Sequence, residues 1–252
     1  GLLGSLGMLG QLTKEDLGRR MRSGSAGPTL RELLTDIGVD PAAVSSGKHC
    51  VDFAKIAAFI EVHIEQSARL DNAVTDRVGV VTGIRGLIRH RTIQAIGETA
   101  HAGAVDFPYR KDAALACARF SSRLYDFWQH ELSLGRDLVA TTGVIRTSPS
   151  ASMNKIAGEC IVSLDARSLS AAELNRLEKK VEAILEETAE ETGVIFETDP
   201  LMRIAPVEAD EGVMKKLEAS ADILKIGTQR MPSGAGHDAM NFAAAGVPFA
   251  ML

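Results

Sequence analysis

Phe59-Ile60-Glu61-Val62-His63-Ile64-Glu65-Gln66 is the stretch on which the reading turns. As a strand it alternates: Ile60, Val62 and Ile64 point to one side, Glu61, His63 and Glu65 to the other. One imidazole and two carboxylates along an apolar strand are costly to bury unless a metal or hydrogen-bond partners lie opposite. As a helix, Phe53, Ile56, Ile60 and Ile64 also share a face. Periodicity leaves both readings open, and the plain one is an amphipathic helix with solvated Glu residues.

Upstream, residues 1–12 are rich in Gly and Leu and lack a clean period, and 13–23 read as a helix ending at Gly/Ser/Pro punctuation over 24–28. Thr29-Leu30-Arg31-Glu32 has the capping-box pattern, opening a short helix that Gly38 closes, and Asp40-Pro41 starts another brief turn or helix. Downstream, the β-branched run at 78–84 reads as a strand. It is followed by a strand at 87–96, a long helix at 112–134, strands at 137–146 and 159–169, a helix from Ser170 to about Thr192, and a strand at 194–198. That β-α-β-β-α-β order is a ferredoxin-like unit of roughly 120 residues. From Pro206 on come a helix, a glycine-rich turn at 233–236, a second short helix and a terminal strand.

The bulk properties narrow the classes. With 252 residues, 45% hydrophobic and 24% charged, the chain is globular and long enough for one large or two modest domains. A net charge of −5 with no basic cluster, and aromatics at only 4%, argue against nucleic acid as a partner. No apolar run approaches the ~18–20 residues of a membrane span. Cys50, Cys117 and Cys160 are odd in number and lack a C-x-x-C, which fits a reducing, cytoplasmic setting without a disulfide framework or a thiolate metal site. There is no initiator Met, and the apolar run at 246–252 has no polar tail, so a piece of a longer protein is expected.

Three further motifs carry chemistry. Gly97-Glu98-Thr99-Ala100-His101-Ala102-Gly103 sets one His among small residues at a strand-to-loop transition, where backbone can approach a ligand closely; the plain alternative is a surface loop His. Asn154 falls in a polar turn, and Arg167 in Asp165-Ala166-Arg167 continues an alternating strand; a turn residue and a surface charge are the plain readings. An Arg fork matches a carboxylate bidentately, as Lys cannot. In Ser233-Gly234-Ala235-Gly236-His237-Asp238-Ala239 the small residues lead into a helix, so its N–H groups can face an anion or a carbonyl, or Asp238 simply caps the helix. There is no G-x-G-x-x-G, Walker loop, G-x-S-x-G or H-E-x-x-H.

Taken together and in this order, these segments resemble the amidase/hydantoinase/carbamoylase branch of the M20 metallopeptidase-like family. E-V-H-I-E-Q resembles its E-x-H-I-E-Q-G, with Ser67 in place of Gly, and G-A-G-H-D-A matches closely. The resemblance implies an α/β fold. A zinc-hydrolase catalytic domain (residues 1–83 and 204–252, incomplete here) is interrupted by a ferredoxin-like α+β lid and dimerisation domain (84–203). It implies hydrolysis of a linear C–N bond, in an N-carbamoyl-L-amino acid or alternatively allantoate or β-ureidopropionate.

Two divalent metal ions are implied, zinc first and Mn, Co or Ni as substitutes, with His63 holding one. His101 reaches the site of a second copy in a homodimer and steadies the oxyanion. Gln66, Asn154 and Arg167 orient the substrate, the last two through its carboxylate, and Gly234, Ala235, Gly236 and His237 line the pocket. The family's H-x-D, its acidic pair and its last His have no counterpart within these residues. Ala157 and Ala104-Val105-Asp106 also depart from the family pattern, and they support a competing expectation: a non-catalytic, dimerising relative without the metal site.

Overall fold

In the computed structural model, residues 2–20 and 27–252 are described; the expected helix end at 21–23 and the start of the turn at 24–26 lie outside them. In chain order the helices are α1 (Leu3–Met8), α2 (Lys14–Gly18), α3 (Leu30–Asp36), α4 (Pro41–Val44), α5 (Ala113–Ser133), α6 (Ala171–Thr192), α7 (Glu211–Ile223) and α8 (Asp238–Ala244). The strands are β1 (Phe59–Glu61), β2 (Asp76–Ile84), β3 (Gly86–Ile96), β4 (Ala100–His101), β5 (Val139–Thr141), β6 (Ile145–Thr147), β7 (Lys155–Ile156), β8 (Glu159–Ser168), β9 (Ile195–Thr198), β10 (Met202–Ile204), β11 (Val207–Glu208), β12 (Gly227–Ser233) and β13 (Phe249–Met251). The chain divides into an interrupted unit, Gly1–Ile84 with Val207–Leu252, and an inserted unit, Arg85–Pro206.

The inserted unit is built on the antiparallel pair β3–β8. β5 and β6 pair with the far side of β8, and β9 and β10 with the far side of β3. A sheet of four strands was expected and six are present, because two lanes are broken. The expected strand at 137–146 splits where Thr142-Gly143-Val144 leaves the ladder, and the last lane splits at Asp199-Pro200-Leu201, where proline cannot donate. Both long helices cover one face. Ala116, Cys117, Phe120 and Leu124 of α5 and Leu174, Leu177, Val181 and Ile184 of α6 share a core with Ile88, Ile93 and Ala95 of β3 and Cys160, Val162, Leu164 and Ala166 of β8. Ile88 and Ile93 are five residues apart yet face the same core, because a register shift between His90 and Ile93 inserts a bulge that changes the parity of β3. Each such side chain fully removed from water contributes about 1.5–3 kcal/mol. Asp112 caps the start of α5 through Ala114 and Leu115 N–H, and left-handed Gly193 closes α6.

In the interrupted unit, β2 is central, antiparallel to β11 and parallel to β12. Val80, Ile84, Met214, Ala239, Met240, Phe249 and Ala250 are buried together. α1 forms where no period was legible in the sequence. Its buried Ser5 receives a hydrogen bond from Asn241 and donates one to Asp238, so tertiary partners from α8 hold it. No described helix is long and apolar enough to cross a membrane.

Candidate active site

The stretch around His63 is extended rather than helical, and a three-residue strand is all of it that is regular. β1 runs parallel to β13, pairing Phe59 with Phe249 and Glu61 with Met251. Pairing continues past the strand: Leu252 N–H donates to Glu61 O at 3.0 Å and His63 N–H to Leu252 O at 2.8 Å. The inward face is the acidic one. Val62 and Ile64 are 79% and 73% exposed, whereas Glu61 turns toward α8 and accepts from Ala239 N–H at 3.0 Å. The hydrogen-bond partners needed to bury a carboxylate on this strand are therefore present. Glu61, rather than Asp238, supplies the side-chain cap on α8.

His237, only 2% exposed, stands between Glu61 and Ser233. Its Nδ1 lies 3.4 Å from Glu61 Oε1 and its Nε2 2.6 Å from Ser233 Oγ. A carboxylate only accepts, so Nδ1 carries the proton and Nε2 accepts from the Ser233 hydroxyl. Burial holds the imidazole below its usual pKa although Glu61 pulls the other way. It is thus a neutral ring with both nitrogens engaged. It packs edge-on against His63, the ring centroids 4.6 Å apart.

His63 itself is exposed, with Nδ1 2.7 Å from Ile64 O. A carbonyl only accepts, so Nδ1 bears the hydrogen and the Nε2 lone pair is left for a ligand. That is the tautomer of a metal-bound imidazole whose other nitrogen is held by an acceptor. One donor fits a metal. A catalytic zinc takes three protein ligands, and among the described residues no group of three or more His, Cys, Asp or Glu is placed to hold one. Gln66 is exposed in the left-handed region at φ 57°, beside Ser67, which donates to Glu65. Gly234, Ala235 and Gly236 form the bend between β12 and α8, with Ala235 N–H 3.4 Å from Ser233 Oγ.

In the inserted unit, β4 and β7 pair Ala100 with Ile156 and His101 with Lys155, and Ala102 N–H donates to Asn154 O at 2.9 Å. The His101 and Asn154 motifs are thereby joined. His101 Nδ1 accepts from Gly103 N–H at 3.1 Å, so its proton resides on Nε2 and points out as a donor. Arg110 ties the same loop from below, donating to Val105 O at 2.9 Å and to Ala102 O. Asn154 Oδ1 accepts from Ser152. Arg167 lies at the other end of β8, opposite Leu87 and Val139. Its fork engages Asp165 at 2.7 and 3.0 Å, and Arg89 Nε reaches the same carboxylate at 2.8 Å. Within one chain, then, Asn154 and Arg167 attach at opposite ends of one strand. Cys117 is no nucleophile: burial, with Cys160 beside it, pushes its thiol up to about 12.

Ser233 and His237 stand in one sequence motif and Glu61 in another, and no local pattern joins the three side chains.

The profile of peptidase family M20/M25/M40 matches residues 7–252. The chain belongs to that family. Among M20 relatives it is similar to the N-carbamoyl-L-amino acid amidohydrolase of Geobacillus stearothermophilus, 31% identical over 243 residues, 96% of this chain and 56% of that protein. It is likewise similar to the allantoate amidohydrolase of Escherichia coli strain K12, 31% identical over 188 residues, 75% of this chain and 44% of that protein. A crystal structure of a hydantoinase/carbamoylase family amidase from Burkholderia ambifaria superposes with a TM-score of 0.81 at 28% identity, covering 100% of this chain and 57% of that one. This M20 chain spans about half the length of the curated relatives it matches.

Proposed function

We propose that the whole protein is a divalent-metal-dependent amidohydrolase, cleaving the C–N bond of a small ureido or amide acid, in the first instance an N-carbamoyl-L-amino acid. The observation that carries this is His63. Its Nδ1–H is committed to Ile64 O, its Nε2 has no partner among the described residues, the residue is exposed, and the ring is braced by His237. The relatives' names supply the reaction class.

The metal, zinc by preference, would polarise the scissile carbonyl and acidify a water. Only one of its donors is among the described residues, so the remaining ligands are assigned to sequence beyond these 252 residues. The chain's own groups do the rest. His237 holds the His63 ring without competing for the ligand. His101, with Nε2–H directed outward, donates to the oxyanion in a second copy of a homodimer. Arg167 of one copy and Asn154 of the other, which is joined to the His101 loop, receive the substrate carboxylate, Gln66 orients the amide, and the bend at Gly234, Ala235 and Gly236 lines the pocket.

The test uses a protein of the relatives' length. Ammonia release from N-carbamoyl-L-amino acids, allantoate and β-ureidopropionate is measured beside bound zinc. His63→Ala is expected to lose metal and turnover together. Retention of metal and turnover by that variant would remove His63 from the site.

A further inference from the structure

The two groups proposed to act in a second copy, His101 and Asn154, belong to one small piece of structure. β4 and β7 set their segments side by side, and the 2.9 Å bond from Ala102 N–H to Asn154 O fastens them. In an N-carbamoyl amino acid the scissile carbonyl and the carboxylate are separated by a nitrogen and the α-carbon, and the side chain hangs on that carbon. A substrate with its carbonyl at His101 and its carboxylate at Asn154 therefore lies across Ala102. Its side chain falls on whatever borders Ala102.

Two large apolar side chains do. Phe107–Tyr109 form a 3₁₀ turn, with Tyr109 N–H donating to Asp106 O at 3.0 Å and Arg110 N–H to Phe107 O at 3.2 Å. Side chains at i and i+3 of such a turn eclipse. Phe107 thus shares a side with Arg110, whose guanidinium reaches Ala102 O, and Tyr109 does not. On the other segment, Met153 and Asn154 are the central residues of a turn that Lys155 N–H closes on Ser152 O at 3.0 Å. Phe107 is 74% exposed and Met153 fully so, so neither serves the core of its own unit. Arg110 is committed to Val105 O and Ala102 O, and the other charges on these segments, Asp106 and Lys155, are opposite in sign. An uncharged, apolar group is what this surface suits. A thioether beside an aromatic ring adapts to varied apolar shapes.

We propose that Phe107 and Met153 select the substrate by its side chain, favouring N-carbamoyl amino acids with a large apolar or aromatic group. The inference rests on the hydrolysis proposed above.

The test is ammonia release by the zinc-loaded protein of the relatives' length. The substrates are N-carbamoyl-L-methionine, N-carbamoyl-L-phenylalanine and N-carbamoylglycine, which has no side chain. The parent should prefer the first two in kcat/KM. Phe107→Ala and Met153→Ala should each lower kcat/KM for those two about tenfold, the scale of a small apolar loss from a pocket, and leave N-carbamoylglycine unchanged. Tyr109→Ala, on the other side of the turn, should alter none of the three. Sedimentation should find every variant in the parent's oligomeric state. A parent without the preference, variants that keep it, or variants that slow all three substrates equally would overturn the inference and leave the hydrolysis standing. So would an equal loss in Tyr109→Ala, or dissociation of the variants, which would make these residues subunit contacts. A parent that releases no ammonia from any ureido acid overturns the hydrolysis, and the inference with it.

Discussion

The tautomer of His101, the proposed oxyanion donor, is set by a backbone amide rather than by an acid. Gly103 N–H occupies Nδ1 and thereby places the proton on the outward nitrogen. Arg167 is prepared differently: Asp165 holds its fork flat and shares its charge with Arg89. Lysine has a single point charge and cannot span both carboxylate oxygens. On the proposed reading, Arg167→Lys in a protein of the relatives' length is expected to lower kcat/KM about tenfold or more, the equivalent of roughly 1.5–3 kcal/mol for a charged contact; unchanged kinetics would return Arg167 to a purely structural role.

Asp165 has its own pH signature. Burial pushes its carboxyl up, but the bonds from Arg167 and Arg89 prevail and hold it below the usual range. A depressed folded-state pKa contributes stability that is complete above the unfolded value, ~3.9, and is lost as pH falls through the folded one. The urea midpoint of Asp165→Asn should therefore lie below that of the parent at pH 7, and the gap should narrow below about pH 4. At this scale the sequence told less than at any other. The roles of Glu61 and Ser233 depend on His237, more than 170 residues from Glu61 in the chain, and no local pattern reports such a pairing.

Elements were more legible than residues, because their ends are written locally. Asp112 and Ser170 cap the two long helices at the starts read from the sequence, and Thr29 makes the full reciprocal box with Glu32. Ser170 makes only half of its box: Glu173 turns instead to Arg176. The breaks in the sheet were not legible, since the run at 137–146 keeps its β-branched composition across a segment that leaves the ladder.

Two glycines test the local rules. A Cβ on Gly97 would stand 2.0 Å from Lys111 O, an overlap with backbone that a side-chain rotation cannot relieve. Gly97→Ala is expected to cost about 1–3 kcal/mol in urea unfolding. Gly193, at φ 66°, should lose only about 1 kcal/mol on replacement by alanine. If Gly193→Ala proved the costlier of the two, the close approach at Gly97 would be relieved by movement of the Lys111 segment.

For the whole molecule the question is which copy and which length do the chemistry. Of the donors expected for a metal, the described residues place only His63 ready, short of the three a catalytic zinc requires. The 252 residues by themselves are accordingly expected to bind zinc weakly and to release no ammonia from ureido acids, while a protein of the relatives' length does both. Zinc-dependent turnover by the short chain would show that the ligands had been misassigned. Mixing His101→Ala and His63→Ala subunits of the longer protein should restore part of the activity; heterodimers that form and stay inactive would place His101 outside the partner's site.

The parallel pairing of β1 with β13 has one more consequence. Strand side chains repeat every second residue, so a single-residue slip exchanges the two faces. β1 is three residues long, and the carbonyl that holds His63 belongs to Leu252. Deleting one residue from the turn at Gly246-Val247-Pro248 would offer β1 a choice between losing a rung and shifting by one. The shift would swing Glu61 into solvent, leave the Ala239 amide without its acceptor, and rotate the His63 ring away from His237. Amide hydrogen exchange would report this first, as faster exchange at His63 and Ala239 while the β3–β8 ladder stayed protected.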